Sequence, residues 1–129
     1  MTRPVVGILV AVRPARYGPW DQDVAMAPAS LATAVNELGW LALLLAADAT
    51  LATDPGEALQ LLDGLIVPDW GADSDRSADF SRALAERARA RGLPVLTLPA
   101  SALGADRTVA DYARIIGDLF TPDERAASA

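Results

Sequence analysis

The side chains that could carry out chemistry are few in this sequence. It contains no cysteine and no histidine, and all eleven of its basic residues are arginines. This composition excludes a disulfide scaffold, a cysteine-ligated metal, a thiol nucleophile and an imidazole general base. Carboxylates are the candidate bases that remain.

Two tryptophans follow predicted strands at the end of the sheet where open α/β folds bind their ligands. Trp20 comes after the first predicted strand and Trp70 after the third, so we expect them to meet in one crevice. They could sandwich a planar ligand, contact a protein partner or fill an empty cleft. Arg13 and Arg16, in the loop after the first strand, could hold a carboxylate or phosphate, or pair with nearby aspartates.

A cluster of aspartates raises the question of a metal site. Its spacing matches no calcium-binding loop, and turn and helix-cap roles account for most of its members. No glycine-rich phosphate loop follows the first strand, so a flavin site is poorly supported. We therefore predict neither a metal nor a cofactor. The aspartates are Asp63, Asp69, Asp73, Asp75 and Asp79.

The bulk composition predicts one α/β domain over residues 1–120 and a flexible tail over residues 121–129. The chain of 129 residues is 52% hydrophobic, which is enough to bury a core of its own. Its net charge of −6 argues against a nucleic-acid surface. Because it has neither a membrane-length apolar segment nor a signal-peptide pattern, we expect a cytoplasmic protein with no membrane partner.

Four apolar runs bounded by turn residues predict parallel strands. They cover residues 3–12, 40–45, 65–67 and 93–98, and residues 13–21 between the first strand and the first helix are predicted to form a loop. Helical patterns cover residues 28–39, a short segment opened by residues 54–57, residues 77–91 and a last helix capped by Thr108. The alternation predicts a flavodoxin-like three-layer α/β/α fold with about four parallel strands in the order 2-1-3-4.

Four stretches of this pattern also carry a family resemblance. They are residues 3–8, 34–40, 62–68 and 91–96. In this order and spacing they resemble class I glutamine amidotransferase-like proteins, and most nearly the γ-glutamyl-γ-aminobutyrate hydrolases (the peptidase C26 family). The resemblance covers most of residues 3–101 and implies the same flavodoxin-like fold.

The positions that perform catalysis in that family differ here. Pro68 is followed by Asp69 and Trp70, where the family has paired glycines whose N–H groups stabilise an oxyanion. Pro99 occupies the position of the family's nucleophilic cysteine, followed by Ala100 and Ser101. The family's histidine and glutamate lie in a carboxyl-terminal half beyond the last predicted helix of this chain. The resemblance therefore implies a shortened, non-catalytic relative.

An alternative is a hydrolase of a small amide or ester with changed catalytic residues. Ser101 would be its nucleophile and Asp69 its base, since a serine needs a group that takes its proton. A loop or helix-cap role is the simpler explanation of Ser101. A third possibility is a small-molecule sensor. The candidate binding crevice comprises Arg13, Arg16, Trp20, Pro68, Asp69, Trp70, Gly71, Pro99 and Ser101.

The fourth strand and the last helix suggest an interface. The strand is expected at an edge of the sheet with an open hydrogen-bonding ladder, and the helix spreads apolar residues over more than one face. These residues are Tyr112, Ile115, Ile116, Leu119 and Phe120. We therefore predict a non-catalytic binding, scaffolding or regulatory protein that self-associates or docks on a protein partner.

Overall fold

The structure is a computed structural model, and it describes residues 2–120. The strands are β1 (Val5–Leu9), β2 (Ala11–Tyr17), β3 (Trp20–Met26), β4 (Leu41–Leu45), β5 (Gly64–Pro68) and β6 (Val95–Leu98). The α-helices are α1 (Ala29–Glu37), α2 (Ala49–Thr53), α3 (Gly56–Gln60), α4 (Ala78–Ala90) and α5 (Val109–Ile116). The predicted flexible tail lies outside the described residues.

A four-stranded parallel sheet forms the centre of the fold. Its order is β4-β1-β5-β6, and Ile8 of β1 lies between Leu44 of β4 and Ile66 of β5. Each of the four strands lies at one of the predicted apolar runs, in the predicted order 2-1-3-4. The first strand ends at Leu9, earlier than predicted, because residues 11 and 12 belong to β2. The predicted edge position of the fourth run, now β6, is also confirmed.

Alternation along the strands divides the core into two layers. Val6, Ile8 and Ile66 pack on one face of the sheet with α1 and α5, and Leu9 and Leu65 pack on the other face with α3 and α4. Each strand side chain faces opposite to its neighbour, so one buried strand supplies both layers. The predicted three-layer, flavodoxin-like α/β class is confirmed.

The edge strand β4 is more exposed than its sequence suggests. It reads Leu-Ala-Leu-Leu-Leu, yet Leu41, Leu43 and Leu44 are 36%, 37% and 54% exposed. Its neighbour β1 covers one side of its ladder, and among the described residues no strand covers the other. The apolar run therefore forms a strand by pairing with β1 and is only half covered.

Residues 13–21 do not form the predicted loop. They belong to an antiparallel ribbon of β2 and β3 (residues 11–26), paired from Ala11↔Met26 at its base to Tyr17↔Trp20 at its tip. Gly18 closes the turn with φ of +56°, the left-handed conformation that two-residue hairpins require. Pro14 is compatible with the strand because its backbone nitrogen lies at the outer edge of the ribbon.

The helices before β5 differ in detail from the prediction. Helix α2 was not predicted, and it begins after Asp48, whose Oδ1 accepts a hydrogen bond of 2.9 Å from the Leu51 N–H. The next helix begins at Gly56 with Pro55 as its N-cap, within the residues 54–57 that were predicted to open it. Across residues 2–120, no helix is both long and apolar enough to span a bilayer.

Helix α5 begins with the predicted capping box. The Thr108 hydroxyl accepts from the Asp111 N–H at 3.1 Å, and the Asp111 carboxylate accepts from the Thr108 N–H at 3.0 Å. The hydrogen bond from the Thr108 N–H to the Asp111 carboxylate, with a smaller effect of the nearby Thr108 hydroxyl, holds the pKa of Asp111 below its ordinary value, whereas burial raises the pKa of Tyr112. The cap thus fixes the start of α5, and Tyr112, the residue after Asp111, lies in the core.

Most of the residues predicted to form an interface on α5 are inside the domain. Tyr112, Ile116 and Leu119 are 1%, 0% and 9% exposed because α5 packs against both α1 and the sheet. Ile115 and Phe120 are partly buried, and the Phe120 ring meets the Trp40 ring edge-on with centroids 4.9 Å apart. The broad apolar surface of this helix is explained by packing within the chain, which corrects the proposed interface.

Candidate functional site

The turn after β5 uses the Asp69 carboxylate to hold its own backbone. Asp69 Oδ1 accepts a hydrogen bond of 3.0 Å from the Gly71 N–H, and the Asp69 N–H donates to the Leu98 carbonyl at 2.8 Å. Gly71 has φ of +83°, so the chain reverses immediately after Trp70. The turn expected at the place of the family's oxyanion loop is an aspartate turn anchored to the end of β6.

Trp70 lies between two cavities at this edge of the sheet. Its ring packs against the core, and its Nε1 is buried without a hydrogen-bond partner in the part of the chain that the structure describes. One cavity, which we call the ribbon cavity, has a volume of about 130 Å³ and lies at the base of the ribbon. It is mainly apolar, and its lining residues are Ala11, Arg13, Met26, Ala27, Pro28 and Trp70.

The second cavity, the α4 cavity, lies between α4 and the carboxyl ends of β5 and β6. Its volume is also about 130 Å³, and Trp70 forms one wall. Ser81 on α4 lines it, is 6% exposed, and has a hydroxyl that lacks a hydrogen-bond partner within residues 2–120. Arg82 and Arg89 line it as well, and Arg89 Nη2 donates to Thr97 Oγ1 at 2.9 Å.

The ribbon has two different faces. Because opposite residues of an antiparallel pair share a face, the register separates an apolar face from a charged face. The apolar face carries Ala11, Arg13, Ala15, Tyr17, Trp20, Gln22, Val24 and Met26, and the charged face carries Val12, Pro14, Arg16, Asp21, Asp23 and Ala25. The ribbon cavity lies on the apolar face, since Ala11, Arg13 and Met26 all line it.

One buried carboxylate anchors the ribbon to the domain. Asp75 Oδ1 accepts from the Val12 N–H at 2.9 Å, the Ser77 N–H at 2.9 Å and the Ser77 hydroxyl at 2.6 Å. Next to it, the Arg76 N–H donates to the Val12 carbonyl at 2.8 Å, and the Arg76 guanidinium pairs with Asp23 at 2.9 Å. These contacts fix the base of β2 and leave the tip projecting.

The structure separates the two tryptophans that we expected to meet. Trp20 is at the tip of the ribbon and 59% exposed, whereas Trp70 lies beside Met26 at the base. Trp20 and Met26 are the two ends of β3, six residue steps apart along the strand, which is a distance on the order of 20 Å. The predicted crevice between the rings is therefore not formed.

The other predicted crevice residues are dispersed. Arg13 lines the ribbon cavity, whereas Arg16 makes an exposed ion pair with Asp21 at 3.4 Å. Pro99 precedes a 3₁₀ turn over Ala100–Ala102, in which the Ser101 carbonyl accepts from Arg107 Nη2 at 3.1 Å. Among the described residues, no hydrogen bond joins Ser101 to Asp69.

Sequence reasoning missed the α4 cavity. Ala78, Ser81 and Ala85 are small residues spaced so that they share one face of α4. This spacing could have predicted the cavity, because small side chains on the face of a helix that covers a sheet leave space between the helix and the sheet. Pro68 and Asp69 of the predicted crevice also line this cavity, while Ser81, Arg89 and Thr97 were not predicted.

The aspartates do not converge in the described part of the chain. Within residues 2–120, no three histidine, cysteine, aspartate or glutamate side chains form a group that could hold a metal ion. Asp63 instead accepts from the Val5 N–H at 2.8 Å, and Asp79 pairs with Arg82 at 3.4 Å.

Neither a protein-family model nor a curated protein sequence matches this chain. The amidotransferase-like resemblance rests on four stretches of sequence and stays a prediction.

Proposed function

We propose that this chain is a non-catalytic glutamine amidotransferase-like domain that acts as a binding protein and self-associates through the apolar face of the ribbon. The observation that carries the proposal is the exposure of this face. Tyr17 and Trp20 are 83% and 59% exposed at the tip, and Met26 is 45% exposed at the base. Tryptophan and tyrosine are enriched among the residues that dominate binding energy at protein interfaces.

The low stability of an isolated two-stranded ribbon suggests that a partner covers its apolar face. A two-stranded hairpin is at best marginally stable in water unless a hydrophobic face packs against something. Here the body of the domain holds the base of the ribbon through Asp75 and Arg76. The tip, which carries both aromatic rings, would be stabilised by a partner.

The distribution of charge supports a second copy of this chain as that partner. Each copy has a net charge of −6, so two copies repel each other. This repulsion is smallest when the acidic residues lie away from the contact. The apolar face carries Arg13 as its single charged residue within residues 11–26, and Asp21 and Asp23 lie on the opposite face. Stacking two apolar faces keeps these aspartates away from the contact, whereas pairing two β3 edges would bring them together.

The size of the face predicts a weak dimer. Each large aromatic side chain can bury about 150–250 Å², so the two aromatics of both copies, with Val24 and Met26, cover roughly 1,000 Å² in total. This is the lower end of specific interfaces, so we expect association that depends on protein concentration.

Sedimentation equilibrium over a range of protein concentrations tests the proposal. The wild type should approach dimer mass, and Trp20→Ser and Tyr17→Ser should shift the equilibrium toward monomer. Arg16→Gln is the matched control, because Arg16 is next to the same tip but on the charged face. Amide chemical shifts of β2 and β3 would verify that each variant keeps the ribbon. A wild type that stays monomeric throughout, or equal association of all variants, would refute self-association through this face.

The two alternatives are less well supported by the geometry. A sensor that sandwiches a planar ligand needs Trp20 and Trp70 together, and the ribbon holds them apart. A hydrolase needs a base on Ser101, and the Asp69 carboxylate is engaged by the Gly71 N–H. Asp69→Asn distinguishes the hydrolase: loss of a measured amidase or esterase activity without loss of folding would favour it.

A further inference from the structure

We propose that the α4 cavity binds a small organic molecule through a carboxylate group carrying a single negative charge. The cavity lies between α4 and the β5–β6 end of the sheet, away from the tip of the ribbon. The inference is therefore independent of self-association and can fail or hold separately from it.

Two residues that line this cavity each carry a buried donor without a partner. Trp70 Nε1 and the Ser81 hydroxyl are the buried side-chain polar atoms that lack a hydrogen bond within residues 2–120. An indole N–H can only donate, and a buried donor left unpaired destabilises the fold. Both residues line the same space, so a ligand that brings acceptor oxygens would satisfy these donors if the two side chains turn toward it.

The two arginines of the lining have N–H donors for an anion, while the two aspartates already accept hydrogen bonds. Asp75 Oδ1 already accepts three hydrogen bonds, and Asp69 Oδ1 accepts from the turn. Arg89 uses Nη2 for Thr97, and a guanidinium has five N–H donors, so it can also bind a second acceptor. Arg82 makes a long, exposed pair of 3.4 Å with Asp79, which a better acceptor could replace.

The same residues favour a carboxylate over a phosphate. The lining carries two aspartates and two arginines, whose formal charges cancel, so a dianion would add twice the uncompensated negative charge that a carboxylate adds. A cavity of about 130 Å³ holds the volume of roughly four water molecules. That space suits a small organic acid whose apolar part contacts Val67, Ala85 and the Trp70 ring, and it is too small for a nucleotide.

The indole N–H signals of the protein labelled with ¹⁵N give a direct test. Three tryptophans give three such signals, and Trp70→Phe assigns the relevant one. Sodium acetate, propionate and benzoate are the probes, with propionamide as a neutral analogue, and inorganic phosphate and sodium chloride at matched ionic strength as controls. We expect a saturable shift of the Trp70 signal with at least one of the three carboxylates and none with the controls.

Matched variants locate the binding. Arg89→Gln should weaken it roughly tenfold or more, because it removes a charge-assisted hydrogen bond. Arg87→Gln, on the same helix but outside the cavity lining, should leave it unchanged. Ser81→Ala should weaken binding while leaving the free protein at least as stable, because it removes an unpaired buried hydroxyl.

Three results would overturn the proposal. They are the lack of a saturable shift with all three carboxylates, an equal response to phosphate or chloride, and equal effects of Arg87→Gln and Arg89→Gln. Retained binding by Ser81→Ala would separately remove Ser81 from the site.

Discussion

Replacing Asp75 by alanine is expected to loosen the ribbon and destabilise the whole domain. The carboxylate is 6% exposed and accepts hydrogen bonds from two backbone N–H groups, those of Val12 and Ser77. Each N–H that loses its partner costs about 1–3 kcal/mol when water cannot replace the acceptor. Val12 is only partly buried, so its cost lies toward the lower end of this range. The Ser77 hydroxyl can still donate to the Val10 carbonyl, 3.4 Å away.

The expected loss for Asp75→Ala is therefore about 3 kcal/mol of unfolding free energy, against a total of about 5–15 kcal/mol for a typical domain. Asp75→Asn keeps an acceptor oxygen and loses the charge, so it should lose less, about 1 kcal/mol. Urea unfolding at neutral pH measures both values. Hydrogen exchange should also show faster exchange of the β2 and β3 amides in Asp75→Ala than in the wild type.

Asp73→Ala is the matched control for this experiment. Asp73 is an exposed aspartate of the same loop and makes no side-chain hydrogen bond within the described residues. Its replacement should change stability by less than about 0.5 kcal/mol. If Asp75→Ala also lost less than about 1 kcal/mol and left ribbon exchange unchanged, the anchoring role inferred from these hydrogen bonds would be refuted.

Two further predictions concern the core and the last helix. Leu84→Ala removes a fully buried side chain of α4 and should cost about 3 kcal/mol in urea unfolding, whereas Leu61→Ala, 68% exposed, should cost far less. Equal costs would contradict the burial of Leu84. Thr108→Ala removes the N-cap of α5 and should cost about 1 kcal/mol, and an unchanged midpoint would contradict the capping role. Because the pKa of Asp111 is lowered in the fold, its contribution is present above its ordinary value of 3.8 and is lost as the pH falls below it. Unfolding curves of the wild type and Asp111→Asn should accordingly differ at neutral pH and converge in acid.

The sheet could be predicted from the sequence because its signals are local. Continuous apolar runs such as the one containing Val6 and Ile8, each followed by turn residues, identify strands buried on both faces. The Thr108–Asp111 capping box is equally local and was located correctly. Strand order then follows from the small set of topologies that right-handed crossovers allow.

The ribbon and the cavities depend on information that is not local. Pro14 and Gly18 resemble loop residues, and only the pairing of Tyr17 with Trp20 across the turn reveals two strands. Ser81 reads as an ordinary helix residue, and its importance comes from its burial beside Trp70. Burial of α5 on two sides likewise depends on where α1 lies, which the sequence of α5 alone does not contain.

The exposed edge of β4 also bears on how concentrated solutions of this protein behave. Its five residues are all apolar, contain no proline and no charge, and match the composition of segments that stack into fibrils. The strand contains no lysine or proline, the residues that often prevent pairing at an exposed strand edge. At neutral pH the net charge of −6 makes the molecules repel one another, and this repulsion opposes contact between their β4 edges. The repulsion weakens as the net charge approaches zero near the pI of about 4.4, and we expect aggregation through β4 to be greatest there.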